Sequence, residues 1–534
     1  MPERHHAASR AAPATSTATT TAPSEPPAAP ADASDHEGWR RYWHACGCSW
    51  RREPEISAAR QRQLASQRKQ RVDSERGVYP FKNIEPALTR ADLEWLLATH
   101  EDGLGPVDWS DEQQRERTGL DLRGAILIGE DLSGLPLAGL LGGLTEDSWR
   151  NATAAQLDAA RLHLEQADLS EAQLQGAVLE GAHLEAARLH RVRLEHANLR
   201  FARLEGAYLA EVQAQGASFV GAKLDAAILE NARLEGVALR SASLSGAHLE
   251  GAHLEGAHLG EAHLAGKRLA DDAAALARIR RWRTDIADEL SGACLNGVFF
   301  DNLTSLDDAI VGDETYGGVS LADVRWGGAN LAVVDWSLLR VLGDEREALA
   351  EEWHPGKAKD GPARLAELRT VVRANRQMAV ELRNQGLNED ADRFAYRAQV
   401  VQRLVLRGQA LWLPGPWHHH LGTRIQKFGS YVFSLFLDGL AGYGYKPGRS
   451  LVLYLAVLSI SAVIYYILGQ NTVPHMSVIN AIALSFNAFH GRGFLPSTII
   501  PGDPTTIVAV IEGLAGLIIE ISFIATFTQR FFAR

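Results

Sequence analysis

An apolar residue recurs at every fifth position from Leu164 to Leu269, twenty-two times in succession, and is leucine everywhere except Ala214 and Phe219. The residue two places earlier is usually alanine, as at Ala167, Ala172, Ala177, Ala182 and Ala187. Neither a helix nor a flat strand accommodates this spacing. On a 3.6-residue helix each step of five turns by about 140°, and on a pleated strand it changes face every time. Only a chain that turns a corner once per repeat keeps every fifth side chain inside. One buried leucine contributes roughly 2 kcal/mol, while ordering five residues costs about 1–2 kcal/mol each. A lone repeat is therefore unstable, and stacked coils are obligatory.

The pattern Ala-(Asp/Asn)-Leu-x-x, as in Ala167-Asp168-Leu169 and Ala197-Asn198-Leu199, resembles the pentapeptide-repeat family. The resemblance implies a right-handed quadrilateral β-helix with four repeats per coil, its leucines and alanines pointing inward. At about 4.8 Å per coil, the uninterrupted block makes a rod about 26 Å long. Weaker copies at Leu122, Leu127, Leu132 and Leu137, and at Leu295, Phe300, Leu321, Trp326, Leu331 and Trp336, extend the repeat domain to 118–340. The run DDAAALARIRRWRTDIAD predicts a helical insertion near 271–288. Glu165, Glu180, Glu205, Glu235 and Glu250 read as a solvated acidic surface. His248, His253, His258 and His263 fall on different sides of the rod, so their imidazoles diverge and read as surface groups, not as a metal site.

The flanks differ in kind. Residues 1–37 are Ala, Pro, Thr and Ser with almost no large apolar side chain, the composition of a disordered tail without a secretory leader. Residues 38–117 form a small globular segment in which Thr89 and Asp92 predict a helix start. His44, Cys46 and Cys48 offer half a metal site, but no second pair with suitable spacing follows, and ordinary packing is the simpler reading. Three cysteines in 534 residues favour a reducing compartment. A net charge of −11 argues against a general nucleic-acid binder. In the connector, 341–420, Leu365, Leu368, Val372, Ala379 and Leu382 form one helical stripe, and Phe394, Ala398 and Val401 a second, with Gly386 between them. The pair resembles a tetratricopeptide-type hairpin, read here as a coupling or oligomerising element. His418, His419 and His420 are a polar loop or a pH-sensitive one.

Residues 421–534 carry the apolar runs. Segments 450–468 and 506–527 are long enough to cross a bilayer, whereas Val478–Phe489 is too short and reads as a re-entrant helix. Lys446 and Arg449 before the first run, and Arg530 and Arg534 after the second, place both termini in the cytoplasm of a multi-pass plasma or inner membrane protein. Residues 443–532 resemble the pore unit of two-transmembrane potassium-channel-like proteins. The resemblance rests on Gly444-Tyr445-Lys446-Pro447, on Glu512-Gly513 and on the ending Ile524-Ala525-Thr526-Phe527-Thr528-Gln529-Arg530-Phe531. It implies a homotetramer around a central path, each subunit supplying one pore loop. Where the family has Thr-x-Gly-Tyr-Gly-Asp, this chain has Phe489-His490-Gly491-Arg492-Gly493-Phe494. Both glycines remain, the residues that let a loop aim carbonyls at a pore, but the sign of the permeant ion is open. Arg492 faces the axis as a cationic ring or turns back to brace the loop against Glu512. Glu512, Gly516 and Glu520 share one helical face, as cavity lining or loop brace.

These features together predict a mixed fold of β-helix, helical hairpin and all-α two-span pore domain. The function they predict is a membrane ion channel or channel-like pore with a cytoplasmic repeat domain as sensor. The alternative is a non-conducting membrane-anchored scaffold whose acidic rod binds a cytoplasmic protein. A DNA-mimicking protector of a topoisomerase fits an acidic rod but not a membrane anchor. No nucleophile elbow, phosphate loop, metal tetrad or paired carboxylates point to an enzyme, and no metal or cofactor is expected.

Overall fold

The computed structural model describes residues 28–268, 289–350, 352–354, 357–411, 421–470, 475–491 and 504–532, with Ala277, Arg280 and Arg281 between them. The five-residue period becomes a coil of twenty. Parallel bridges join each residue to the one twenty places on, as His163 to His183, Asp168 to Arg188, Gln173 to Arg193 and Val178 to Asn198. Four corners therefore close one coil. At each corner an alanine N–H returns to the preceding leucine carbonyl, as Ala167 to Leu164 at 3.0 Å. The residue between them is left-handed, as Gln166 is at φ +58°. Between corners the coils are tied directly, Leu164 N–H donating to His183 O at 2.8 Å. The central residues from Leu164 to Leu264 and the residues two before them are 0–2 % exposed. The four-sided β-helix expected from the repeats is the observed architecture.

Two long interruptions break the register, and a shorter one follows near 300–319, where Cys294 and Phe299 bridge Ser320 and Arg325 twenty-six residues on. Bridges run from Asp121 to Leu141 within one coil but from Ile126 to His163 across the next, so residues near 143–161 loop out as helices Glu146–Arg150 and Ala154–Ala160. A second excursion leaves after Lys267–Arg268 and returns at Glu289–Leu290, which pair antiparallel across its base. The helix predicted near 271–288 lies outside the described residues, apart from Ala277, Arg280 and Arg281, which are helical. Coils resume with His248 bridged to Cys294 and end near Phe299–Arg325.

Both ends of the rod are covered, which an open stack of leucines requires. At the start, helix Arg90–Ala98 has the Thr89–Asp92 capping box. Its Arg90 pairs with the fully buried Glu94 at 2.8 Å and donates to the Asp131 and Ser133 carbonyls of the first coils. Helix His36–Ala45 begins inside the stretch read as a tail, because Asp35 caps it through Gly38 N–H. At the far end, connector helices Gly361–Asn384 and Asn388–Leu411 pack on the last turns. Gln385 accepts from Leu331 N–H at 2.7 Å and donates to Ala329 O at 2.8 Å, and Trp336 meets Phe394 edge-on.

One expectation is corrected. Glu165, Glu180 and Glu205 are 8 %, 1 % and 1 % exposed, not a solvated face. Residues twenty apart stack about 4.8 Å above one another, so Glu165, Glu180 and Glu205 are covered by the coils on either side, whereas Glu235 and Glu250 stay half-exposed. Glu180 accordingly accepts from Asn198 at 3.1 Å and faces Arg200.

Candidate functional site

Among the described residues, two helices are long and apolar enough to cross a membrane. Pro447–Gly469 and the Pro504–Ala525 part of helix Pro504–Phe532 are apolar for most of their length, yet the rest of the chain covers only a small part of either. A soluble core helix of that composition would be enclosed. The preceding helix, Leu421–Ala441, also exposes Ile425, Phe428, Val432, Phe433 and Phe436. Nothing in the sequence reading anticipated it, because polar residues interrupt its apolar face.

The short helix Val478–Phe489, capped by Ser477, packs against both long helices. The second long helix turns one face to it. Glu512, 2 % exposed, accepts from Tyr465 Oη at 2.8 Å and Ser485 Oγ at 2.5 Å. Gly516 lies under the end of the short helix, where a Cβ would stand 2.1 Å from Phe489 O. One turn on, Glu520 Oε1 is 3.4 Å from His490 Nε2, while His490 Nδ1 contacts Phe486 O at 2.8 Å. Glu512, Gly516 and Glu520 thus meet one element together. Phe489 is buried with Leu440 and Ile519, its ring 4.8 Å from that of Tyr454. Gly491 takes φ +63°, and Arg492, Gly493 and Phe494 lie outside the described residues, as do His418, His419 and His420. Both carboxylate oxygens of Glu512, the proposed partner of Arg492, are engaged by hydroxyls.

A polar junction joins this bundle to the connector. Asp438 accepts from Tyr396 Oη at 3.0 Å, from Arg403 at 2.7 Å and from Arg449 at 2.7 Å. Burial raises its carboxyl, but the Arg403 and Tyr396 bonds and both guanidinium charges outweigh that and hold it below the usual carboxylate range. Lys446 Nζ sits 4.0 Å over the Tyr396 ring.

On the rod, His163, Glu165 and His183 are the one group among the described residues whose ligand atoms lie close enough for a shared metal ion. Glu165 Oε1 is 3.1 Å from His163 Nδ1 and 3.4 Å from His183 Nδ1. Burial raises the Glu165 carboxyl, yet the two imidazoles and its own backbone bring it to about 2. Burial also lowers the His183 imidazole. The sequence reading passed over this cluster because it followed the five-residue period, whereas neighbours on one side stand twenty apart. His248 and His253, at the sites the reading did weigh, each have a glutamate two residues on at 3.2 Å, and His253 also stacks on Phe299 with ring centroids 4.3 Å apart, but neither has a second imidazole beside it. Cys46 and Cys48 are free thiols.

A four-sided solenoid of twenty-residue coils, capped at both ends and followed by an apolar helical bundle, defines a repeat protein with a membrane-type C-terminal region. Residues 150–266 match the pentapeptide-repeat family in eight copies, and this part of the chain is a pentapeptide-repeat domain. Among solved structures, HetL, a pentapeptide repeat protein involved in heterocyst differentiation regulation in the cyanobacterium Nostoc, is 24 % identical over 41 % of this chain and 89 % of its own, with a TM-score of 0.23. A pentapeptide repeat protein of the cyanobacterium Cyanothece is 30 % identical over 23 % and 84 %, with a TM-score of 0.14. A plasmid-mediated fluoroquinolone resistance protein is 15 % identical over 42 % and 93 %, with a TM-score of 0.22. No curated protein matches the chain.

Proposed function

We propose that the chain is a subunit of a membrane pore of channel-like design, with the pentapeptide-repeat rod as a cytoplasmic sensor. The observation that carries this reading is the short helix Val478–Phe489. It is too short to span a bilayer, and it is clasped between two long apolar helices by the Glu512–Tyr465–Ser485 bonds and the approach at Gly516. Such a helix, followed by Gly491-Arg492-Gly493, has the layout of a pore helix and its loop. Four subunits would enclose the path, with the exposed apolar side chains of both long helices facing lipid or one another. Helix Leu421–Ala441, with its exposed aromatic face, suits the membrane surface. No residue is assigned an enzymatic role.

Purified protein in planar bilayers under asymmetric KCl tests this. A reversal potential displaced from zero establishes conduction and the sign of the ion. Silence across voltage, with an intact tetramer, favours the second reading, a membrane-anchored scaffold whose rod binds a cytoplasmic protein. The burial of Phe489 at the head of the loop is the observation on that side.

A further inference from the structure

We propose that His163, Glu165 and His183 form a binding site for a divalent transition-metal ion of the zinc type on one side of the rod. The three groups hang on adjacent rungs. His163 and His183 are bridged partners in successive coils, and Glu165 follows His163 on the same side. Leu164 N–H to His183 O at 2.8 Å fixes their spacing, so the backbone preorganises the set. Metal bonds of 2.0–2.1 Å at tetrahedral angles place ligand atoms about 3.3 Å apart. Glu165 Oε1 stands 3.1 and 3.4 Å from the two Nδ1 atoms, close to that edge length. Charge-assisted N–H···O bonds settle at about 2.7–2.9 Å, shorter than either contact.

A second observation points the same way. Glu165 is 8 % exposed, and its Oε2 is buried with no hydrogen-bond partner among the described residues. Burying an acceptor unpaired costs about 1–3 kcal/mol, a cost that a chelating carboxylate removes. His163 keeps 30 % of its side chain exposed, which leaves an entry path and room for a water as further ligand. Two imidazoles and a carboxylate suit zinc, cobalt, nickel or copper over calcium and magnesium. His253 and Glu255 supply an internal contrast. They keep the same His-x-Glu spacing, and Glu255 Oε2 is likewise buried without a partner among the described residues, but the ladder neighbours of His253 are Arg233 and Phe299, so no second imidazole completes a ligand set.

The test uses the full-length protein in detergent, stripped of metal by a chelator and titrated with Co²⁺. The wild type should bind one more Co²⁺ than His163→Gln or Glu165→Gln, with visible d–d absorption that Zn²⁺ abolishes. His253→Gln should match the wild type. Equal stoichiometry and spectra in the wild type and a His163→Gln variant with unchanged circular dichroism would overturn the proposal. Independently of any variant, Zn²⁺ should protect His163 from acylation by diethyl pyrocarbonate at least fivefold more than it protects His253. Equal labelling of His163 with and without Zn²⁺ would also overturn it.

Discussion

Asp344 is 7 % exposed and accepts Leu321 N–H at 2.7 Å. Burial raises its carboxyl to about 6, with the Leu321 and Asn296 bonds only partly opposing. The native chain therefore holds this proton more tightly than the unfolded chain does. Its contribution is whole below about pH 4 and is lost as pH rises through about 6, up to roughly 3 kcal/mol. Asp344→Asn keeps an oxygen for Leu321 and removes the buried charge, so thermal melts should lose their slope between pH 4 and 6 and shift upward at pH 7.5. An unchanged slope would assign it to another group. Two glycines make a second comparison. Gly236 has φ +66° with open space where a Cβ would go, so Gly236→Ala should cost only the left-handed strain, about 1 kcal/mol. Gly516→Ala forces a Cβ onto the Phe489 carbonyl and should cost more, about 1–3 kcal/mol, in melts of detergent-solubilised protein. Single residues were the least legible scale. Leu164 or Ala167 announces its burial through the period, but Glu165 looks like any surface acid until the residue twenty places on is known to roof it.

The elements of the rod were legible wherever the period held, and their interruptions were legible only as slips of phase. Leu122, Leu127, Leu132 and Leu137 step by five, yet Leu164 stands twenty-seven beyond Leu137, two residues out of phase. That slip marks the excursion carrying Glu146–Arg150 and Ala154–Ala160, whose own sequence has no strong periodicity. The same logic predicts how the rod tolerates deletion. Removing residues 204–208 brings Leu209 into the place of Leu204 and leaves every inward position filled. Removing 204–209 puts Ala210 there and drives the following leucines off the interior, each forfeiting roughly 2 kcal/mol. The five-residue deletion should give a cooperative melt near that of the parent, and the six-residue deletion should lose the β-helix signal in circular dichroism. Equal tolerance of both would mean that the interior does not set the register.

At the scale of the whole molecule, one buried apolar cluster runs from Leu64 in the N-terminal cap, through the rod, to Phe394 in the connector. The caps were not legible as caps, because the end of a solenoid has no periodic marker of its own and is defined only by what covers it. Continuity toward the apolar bundle changes character at Asp438, where Tyr396 and Arg403 of the connector and Arg449 at the head of the first long apolar helix share one carboxylate. If movement of the rod reaches the bundle, it passes through this junction as well as through packing. A double-mutant cycle separates the two. Asp438→Asn should destabilise the detergent-solubilised protein by about 1–3 kcal/mol, since it leaves two half-buried guanidinium groups without their carboxylate, and Arg403→Gln by less, since Asp438 keeps Arg449 and Tyr396. The double variant should lose less than their sum, with a coupling of about 0.5–2 kcal/mol. Additive losses would show that the two groups touch without cooperating, and would leave Tyr396 as the polar link between connector and bundle.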